Sequence, residues 1–185
     1  MFSAFLDANV LVPIALTDTV LRCAQRGLFR PLWSTRILLE ARRAVQRIHP
    51  YLPPARVDYR FANMSSAFPE ADVRGYEEII ERVFLPDADD RHVVAAAYKA
   101  SADLIVTNNL KDFPAEELSK FALEAVGVDS FLRDMLDLYP DDLEWVIARQ
   151  ARSTSNPPLT DADVLESLAR AGAPGFVHDY QCLRL

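Results

Sequence analysis

The sequence predicts a three-layer α/β fold built on a mainly parallel central sheet, with an α-helical extension at the C-terminal end. Two observations carry that expectation. Over residues 1–128, short apolar runs of strand length alternate with segments whose apolar residues recur at helical spacing, the pattern of βα units whose helices cover both faces of a sheet. Over residues 129–185 the strand-length runs stop and only helical segments remain.

Residues 2–6 form the first apolar run and end at the polar triplet Asp7-Ala8-Asn9. The apolar segment over residues 10–28, broken by Gly27, reads as the helix that follows. Ser34 can cap a helix from Thr35 to about Ile48, because Ile37, Ala41, Ala44, Val45 and Ile48 fall on one face at about 100° per residue. Pro53 and Pro54 suit the opening of a further helix that reaches about Phe68, before Pro69. A short strand over residues 71–73 and a short helix over residues 76–84 come next. Pro86 and the acidic run Asp87-Ala88-Asp89-Asp90 then open a helix that reaches about Ala102. Leu104-Ile105-Val106-Thr107 is a buried-strand pattern closed by a loop over residues 108–112, and a helical turn over residues 115–118 precedes a strand over residues 121–126.

In the extension, helices are expected over residues 130–138, 141–151 and 160–171, and from Pro174 onwards. A linker, Ser153-Thr154-Ser155-Asn156-Pro157-Pro158, stands before the last two. Thr160 with Asp163 makes a start resembling a capping box, and Leu159 with Val164 can form the hydrophobic staple that fixes the direction of the incoming chain. Phe131, Leu132, Met135 and Leu136 recur at helical spacing and are expected in the core.

A chain of 185 residues suits one domain, or one domain with an appendage. Half of the residues are hydrophobic and a quarter charged, and only five are glycine, which argues against disorder and low complexity. The N-terminus meets Asp7 without the regions of a secretion signal, and no stretch approaches the ~20 apolar residues of a membrane span, so a cytoplasmic protein without membrane contact is expected. Cys23 and Cys182 lack metal-ligand spacing and read as ordinary thiols.

The net charge of −7 argues against a polyanionic partner until its distribution is considered. Nine arginines (Arg22, Arg26, Arg30, Arg36, Arg42, Arg43, Arg47, Arg56 and Arg60) face only Glu40 and Asp58 in the same segment. That local excess of seven positive charges leaves −14 for the remainder. Either a basic surface for a polyanion or a solvated pair of arginine-rich helices accounts for the pattern.

Ligands of α/β sheets bind beyond the carboxyl ends of the strands, so acidic residues there are the candidates for chemistry. Asp7 follows the first strand, Asp112 lies in the loop after the strand at residues 104–107, Asp90 sits in the first turn of its helix, and Glu40 lies mid-helix beside the apolar face. At helical spacing Glu40 shares a stripe with Arg36, Arg43 and Arg47. Taken singly, each acid has a structural reading. Asp7 can cap a turn, Asp87, Asp89 or Asp90 can cap a helix, Glu40 can pair with Arg36, and Asp112 can form an Asx turn. His49, His92 and His178 stand in no motif that demands them and read as structural or surface residues.

Four segments in this order carry a resemblance. They are Phe5-Leu6-Asp7-Ala8-Asn9-Val10-Leu11, Leu38-Leu39-Glu40-Ala41, Leu85-Pro86-Asp87-Ala88-Asp89-Asp90-Arg91-His92-Val93-Val94-Ala95-Ala96-Ala97, and Ile105-Val106-Thr107-Asn108-Asn109-Leu110-Lys111-Asp112-Phe113. Together they resemble the PIN domain, particularly the VapC-type ribonuclease toxins of bacterial toxin–antitoxin pairs, over residues 1–128. The resemblance implies that Asp7, Glu40 and Asp90 are the acidic metal-site residues and Asp112 the fourth. It makes Asn9, Thr107, Asn109 and Asp89 supporting residues and implies hydrolysis of RNA, a homodimer and an antitoxin partner. Arg36, Arg43 and Arg47 are expected to contact RNA phosphates.

Clustered carboxylates need a cation to offset their repulsion, about 4 kcal/mol for two charges ~4 Å apart at an effective dielectric of ~20. All-oxygen donors favour Mg²⁺, with Mn²⁺ as the alternative. A phosphatase of the haloacid-dehalogenase type also begins with Asp after its first strand, but it needs a second Asp where this chain has Asn9. A PIN nuclease of RNA processing, or a PIN-like scaffold that binds without cutting, remains the alternative to a toxin.

Overall fold

The computed structural model describes residues 1–153 and 157–183. Thr154, Ser155 and Asn156 of the expected linker lie outside the described residues, as do Arg184 and Leu185 at the end of the expected extension. Four parallel strands, β1 (Ser3–Leu6), β2 (Arg30–Leu32), β3 (Leu104–Val106) and β4 (Ala125–Val126), form one sheet in the order β2-β1-β3-β4. Every residue of β1 is buried, so both faces of the central strand are covered, as an all-parallel sheet requires.

The helices of the α/β part are α1 (Ile14–Gln25), α2 (Thr35–Ile48), α3 (Pro54–Ala67), α4 (Arg91–Lys99) and α5 (Ala115–Ser119). The expected cap of α2 forms: Ser34 Oγ accepts from the Ile37 amide at 3.3 Å, and Ile37, Ala41 and Val45 are buried while Ile48 stays exposed. Before α4 the acidic run makes a separate 3₁₀ turn, Ala88–Asp90, in which Asp87 accepts from the Asp89 amide at 2.9 Å.

Four expectations change. Strand β2 was not anticipated, because it has three residues and one is Pro31; a proline is tolerated there since β2 is an edge of this sheet, paired with β1 on one side. The strand expected over residues 71–73 is reduced to one parallel bridge between Trp33 and Asp72. The strand expected over residues 121–126 shortens to β4, because the chain is still turning out of α5 at Ala122, whose φ is 53°. The helix expected over residues 76–84 is a 3₁₀ segment, Glu77–Arg82.

The extension folds as α6 (Val128–Leu138), α7 (Pro140–Ser153), α8 (Asp161–Arg170) and α9 (Pro174–Cys182). Thr160 and Asp163 form the capping box in full at the start of α8. Phe131, Leu132, Met135 and Leu136 are buried as expected. Phe131 meets Phe2 and Phe29 edge-on, with centroids 6.3 and 5.1 Å away, and joins α6 to the core of the α/β part. Between α1 and α7, Thr19 Oγ1 donates to Gln150 Oε1 at 2.6 Å, and Gln150 Nε2 donates to the Ala15 carbonyl at 3.0 Å. Buried polar groups are costly unless paired, so this clamp fixes how the helices meet.

Candidate metal centre

The register of the sheet builds the floor of the site. Leu6 pairs with Val106, so the next residues after both strands, Asp7 and Thr107, leave the sheet side by side at its carboxyl edge. Asp7 is 6% exposed, and both oxygens of its carboxylate accept hydrogen bonds. Oδ1 accepts from the Ala8 amide at 2.6 Å, while Oδ2 accepts from Thr107 Oγ1 at 2.7 Å and Asn9 Nδ2 at 2.5 Å. Asn9 Oδ1 also accepts from the Asn108 amide at 2.9 Å, which ties the loop after β1 to the loop after β3. Burial raises the Asp7 pKa by more than the bonds from Thr107 and Ala8 lower it, and the nearby charge of Glu40 adds to the rise.

Two further acids meet Asp7 in one open cleft of about 410 Å³, lined by Asp7, Asn9, Glu40, Arg47, Asp90 and Asn109 among others. Asp90 precedes α4 but makes no capping bond, so its carboxylate is left to face the cleft. Its pKa is pushed up to about 6, first by burial and then by the charges of Asp7, Asp87 and Asp112. Glu40, from the middle of α2, accepts from Arg36 Nε at 2.9 Å and lies 3.2 Å from His92 Nε2. Burial pushes its carboxyl up, but the hydrogen bonds from His92 and Arg36 outweigh it and hold the pKa below the usual value.

Asp112 stands one layer back. Its carboxylate accepts from Asn109 Nδ2, and Asn109, not Asp112, lines the cleft. Thr107 Oγ1 accepts from the Asn109 amide at 3.0 Å, so the fourth acid communicates with Asp7 through the loop after β3. Asp89 is exposed, and its carbonyl accepts from Arg36 Nη2 at 3.3 Å.

The arginine-rich segment is not one basic face. Arg22 pairs with Asp18, Arg26 with Asp142, Arg36 with Glu40 and Arg42 with Asp58, while Arg60 donates to the carbonyls of Leu11 and Val12. Of the three arginines expected to meet RNA, Arg47 lines the cleft without an ion pair among the described residues; Arg43 is exposed one turn earlier, and Arg36 is held by Glu40.

Comparison with known proteins adds to this geometry. The PIN-domain family profile matches residues 3–111, more than half of the chain. The chain belongs to the PIN-domain family. A second profile, the VapC50 C-terminal domain, matches residues 128–181. A protein of Mycobacterium tuberculosis (strain ATCC 25618 / H37Rv) named "Putative ribonuclease VapC50" is 42% identical over 79 residues, which cover 43% of this chain and 47% of that protein. The matched stretch thus spans about half of that relative. No solved structure matches the chain.

The donors of this PIN-domain cleft are all oxygen, and burial, helped by neighbouring carboxylates, makes Asp7 and Asp90 harder to ionise than usual, a cost that a bound cation would offset. Among the described residues, no three His, Cys, Asp or Glu side chains are gathered closely enough to hold an ion unaided. That arrangement fits a hydrated Mg²⁺ or Mn²⁺ taken by one or two carboxylates, rather than a closed protein cage. The residue that sequence reasoning missed is His92. It lies two positions after Asp90, which suggests that it points away, yet it is buried and reaches Glu40 on another helix.

Proposed function

We propose that the chain is a metal-dependent endoribonuclease that hydrolyses RNA phosphodiester bonds, and that it is the toxin of a type II toxin–antitoxin pair. The observation that carries the reading is the convergence of Asp7, Glu40 and Asp90 on one open cleft from three segments far apart in sequence. Carboxylates drawn into one cleft stabilise nothing by themselves: the charge of Glu40 opposes ionisation of Asp7, and that of Asp7 opposes ionisation of Asp90. The name of the relative from Mycobacterium tuberculosis supports a ribonuclease of the VapC type.

In this reading Asp7, Glu40 and Asp90 hold Mg²⁺ or Mn²⁺, directly or through its waters, and Asp112 supports them through Asn109. When bound, the cation supplies positive charge against the phosphate oxygens and activates water. Thr107 and Asn9 keep Asp7 oriented, and Arg36 and His92 keep Glu40 ionised. Arg47 and Arg43 bind the RNA backbone along α2. We assign residues 1–128 to the nuclease domain and residues 129–185 to the helical extension. A cytoplasmic homodimer blocked by an antitoxin completes the reading; among the described residues no helix is long and apolar enough to cross a membrane.

The test is incubation of purified protein with mixed RNAs in Mg²⁺, in Mn²⁺ and in chelator, beside Asp7→Asn and Asp90→Asn. Cleavage in either metal that stops in chelator and in both variants is expected. RNA left intact under every condition would reduce the protein to a binding scaffold.

A further inference from the structure

We propose that His92 is a positioning residue that aims Glu40 into the cleft. The inference rests on the metal reading only for its consequence; the positioning itself is a property of the metal-free protein.

Glu40 and His92 differ in how firmly the fold holds them. His92 is the second residue of α4, is 1% exposed, and is followed by five residues, Val93 to Ala97, that are all buried. Glu40 has a long side chain on α2 that is 34% exposed. A free glutamate at such a position samples several rotamers, and a fixed donor removes most of them. His92 Nε2 lies 3.2 Å from Glu40 Oε1, which is the same oxygen that Arg36 Nε reaches at 2.9 Å. Both contacts therefore fall on one oxygen. Oε2 has no hydrogen-bond partner among the described residues and is the atom left to a ligand in the cleft that Glu40 lines.

The state of the imidazole follows from its other nitrogen. His92 Nδ1 is buried and has no hydrogen-bond partner among the described residues. An N–H there would be stranded without an acceptor, so the surroundings favour the tautomer with its hydrogen on Nε2, where it donates to Glu40. The two donors also differ. Arg36 is on the exposed side, where solvent competes for it, whereas His92 is inside and cannot be replaced by water without opening the core. His92 is thus the donor that sets the direction of the carboxylate.

Two substitutions separate this role from packing. His92→Gln keeps an N–H at about the reach of Nε2, and His92→Leu keeps similar bulk without a donor. The first readout is the side-chain order of the Glu40 γ-methylene, measured by NMR relaxation in chelator with melting followed in parallel. Wild type and His92→Gln should show an ordered Glu40, and His92→Leu should show rotamer averaging in a folded protein. The second readout is Mn²⁺ affinity of RNA-free protein by calorimetry. His92→Leu should weaken it about tenfold, the low end for groups that orient ligands, and His92→Gln should stay within about threefold of wild type. In a Glu40→Gln background the His92→Leu change should have little further effect on Mn²⁺.

Glu40 that stays ordered in His92→Leu, or that loses order equally in both variants, overturns the proposal. Loss of Glu40 order in His92→Leu alone, in a protein whose wild type binds no Mn²⁺, upholds the positioning and removes the metal reading instead.

Discussion

Asp7 and Arg47 face the same cleft, yet the fold holds them by opposite means. Asp7 is buried, and its carboxylate is bonded from Ala8, Asn9 and Thr107, on two strand-end loops brought together by the register of β1 and β3. Arg47 stands exposed in the last turn of α2, lining the cleft with no ion pair among the described residues. The floor of the site is a low-dielectric place where one lost bond strands another group, whereas the wall is a solvated place where charges act diffusely and salt screens them. Substitutions on the floor should therefore act steeply and those on the wall gradually.

The steepest contrast is loss of the acids themselves. Asp7→Asn and Asp90→Asn should each reduce RNA cleavage by about a hundredfold or more while circular dichroism shows the fold unchanged, an effect of at least ~2.7 kcal/mol on the barrier. Residual cleavage above a tenth of wild type in both variants would mean that the floor is not where chemistry occurs.

Acid pH reads the same crowding without a substrate. In the folded protein the Asp90 pKa is pushed up to about 6, well above the usual carboxylate range, and Asp7 is raised as well. For acids raised in the folded state, the folded protein binds the proton more tightly, so their contribution is fully present below about pH 4 and is lost as pH rises through about 6. In chelator, denaturant melts should show this contribution falling across that window, muted by the solvent that reaches Asp90. Asp90→Asn should flatten the slope, and added Mg²⁺ should oppose it; an identical slope in wild type and variant would remove the crowding argument.

Thr107→Val tests the floor one bond at a time. It keeps the shape but leaves the Asp7 Oδ2 atom and the Asn109 amide each short of a partner. A loss of about 1–3 kcal/mol in stability is expected from thermal melts, together with weaker Mn²⁺ binding. Full wild-type behaviour would make the hydroxyl incidental.

The gentlest effects belong to the wall. Arg47→Ala should flatten the plot of log RNA affinity against log salt by about 0.7, the value for one phosphate contact to a single strand, and should leave cleavage at saturating RNA near wild type. Arg42→Ala, whose guanidinium already pairs with Asp58, should leave the salt slope unchanged. Equal slopes for the two variants would move the RNA path away from the cleft end of α2.

Legibility in the sequence followed the same division. Asp7 could be found because it directly follows an apolar run of strand length, and a parallel sheet places such residues at one edge, whereas Thr107 reads as part of its strand and enters only through the family resemblance. The caps at Ser34 and Thr160 were legible for a related reason, since a cap is made within a few residues of itself. Strand β2 was not, because three residues including Pro31 carry too little pattern to distinguish from a loop.

What the sequence alone determined is local and periodic: the alternation of strands and helices, the helical extension, and the acids at the ends of elements. Only the tertiary structure decided which charges meet. It spent Arg22, Arg26, Arg42 and Arg60 on contacts within the fold, set Asp112 behind Asn109, and turned His92 towards Glu40. The physical reason is that side-chain pairing between elements depends on how their faces pack, and that packing arises from burial of the whole apolar surface rather than from any single segment.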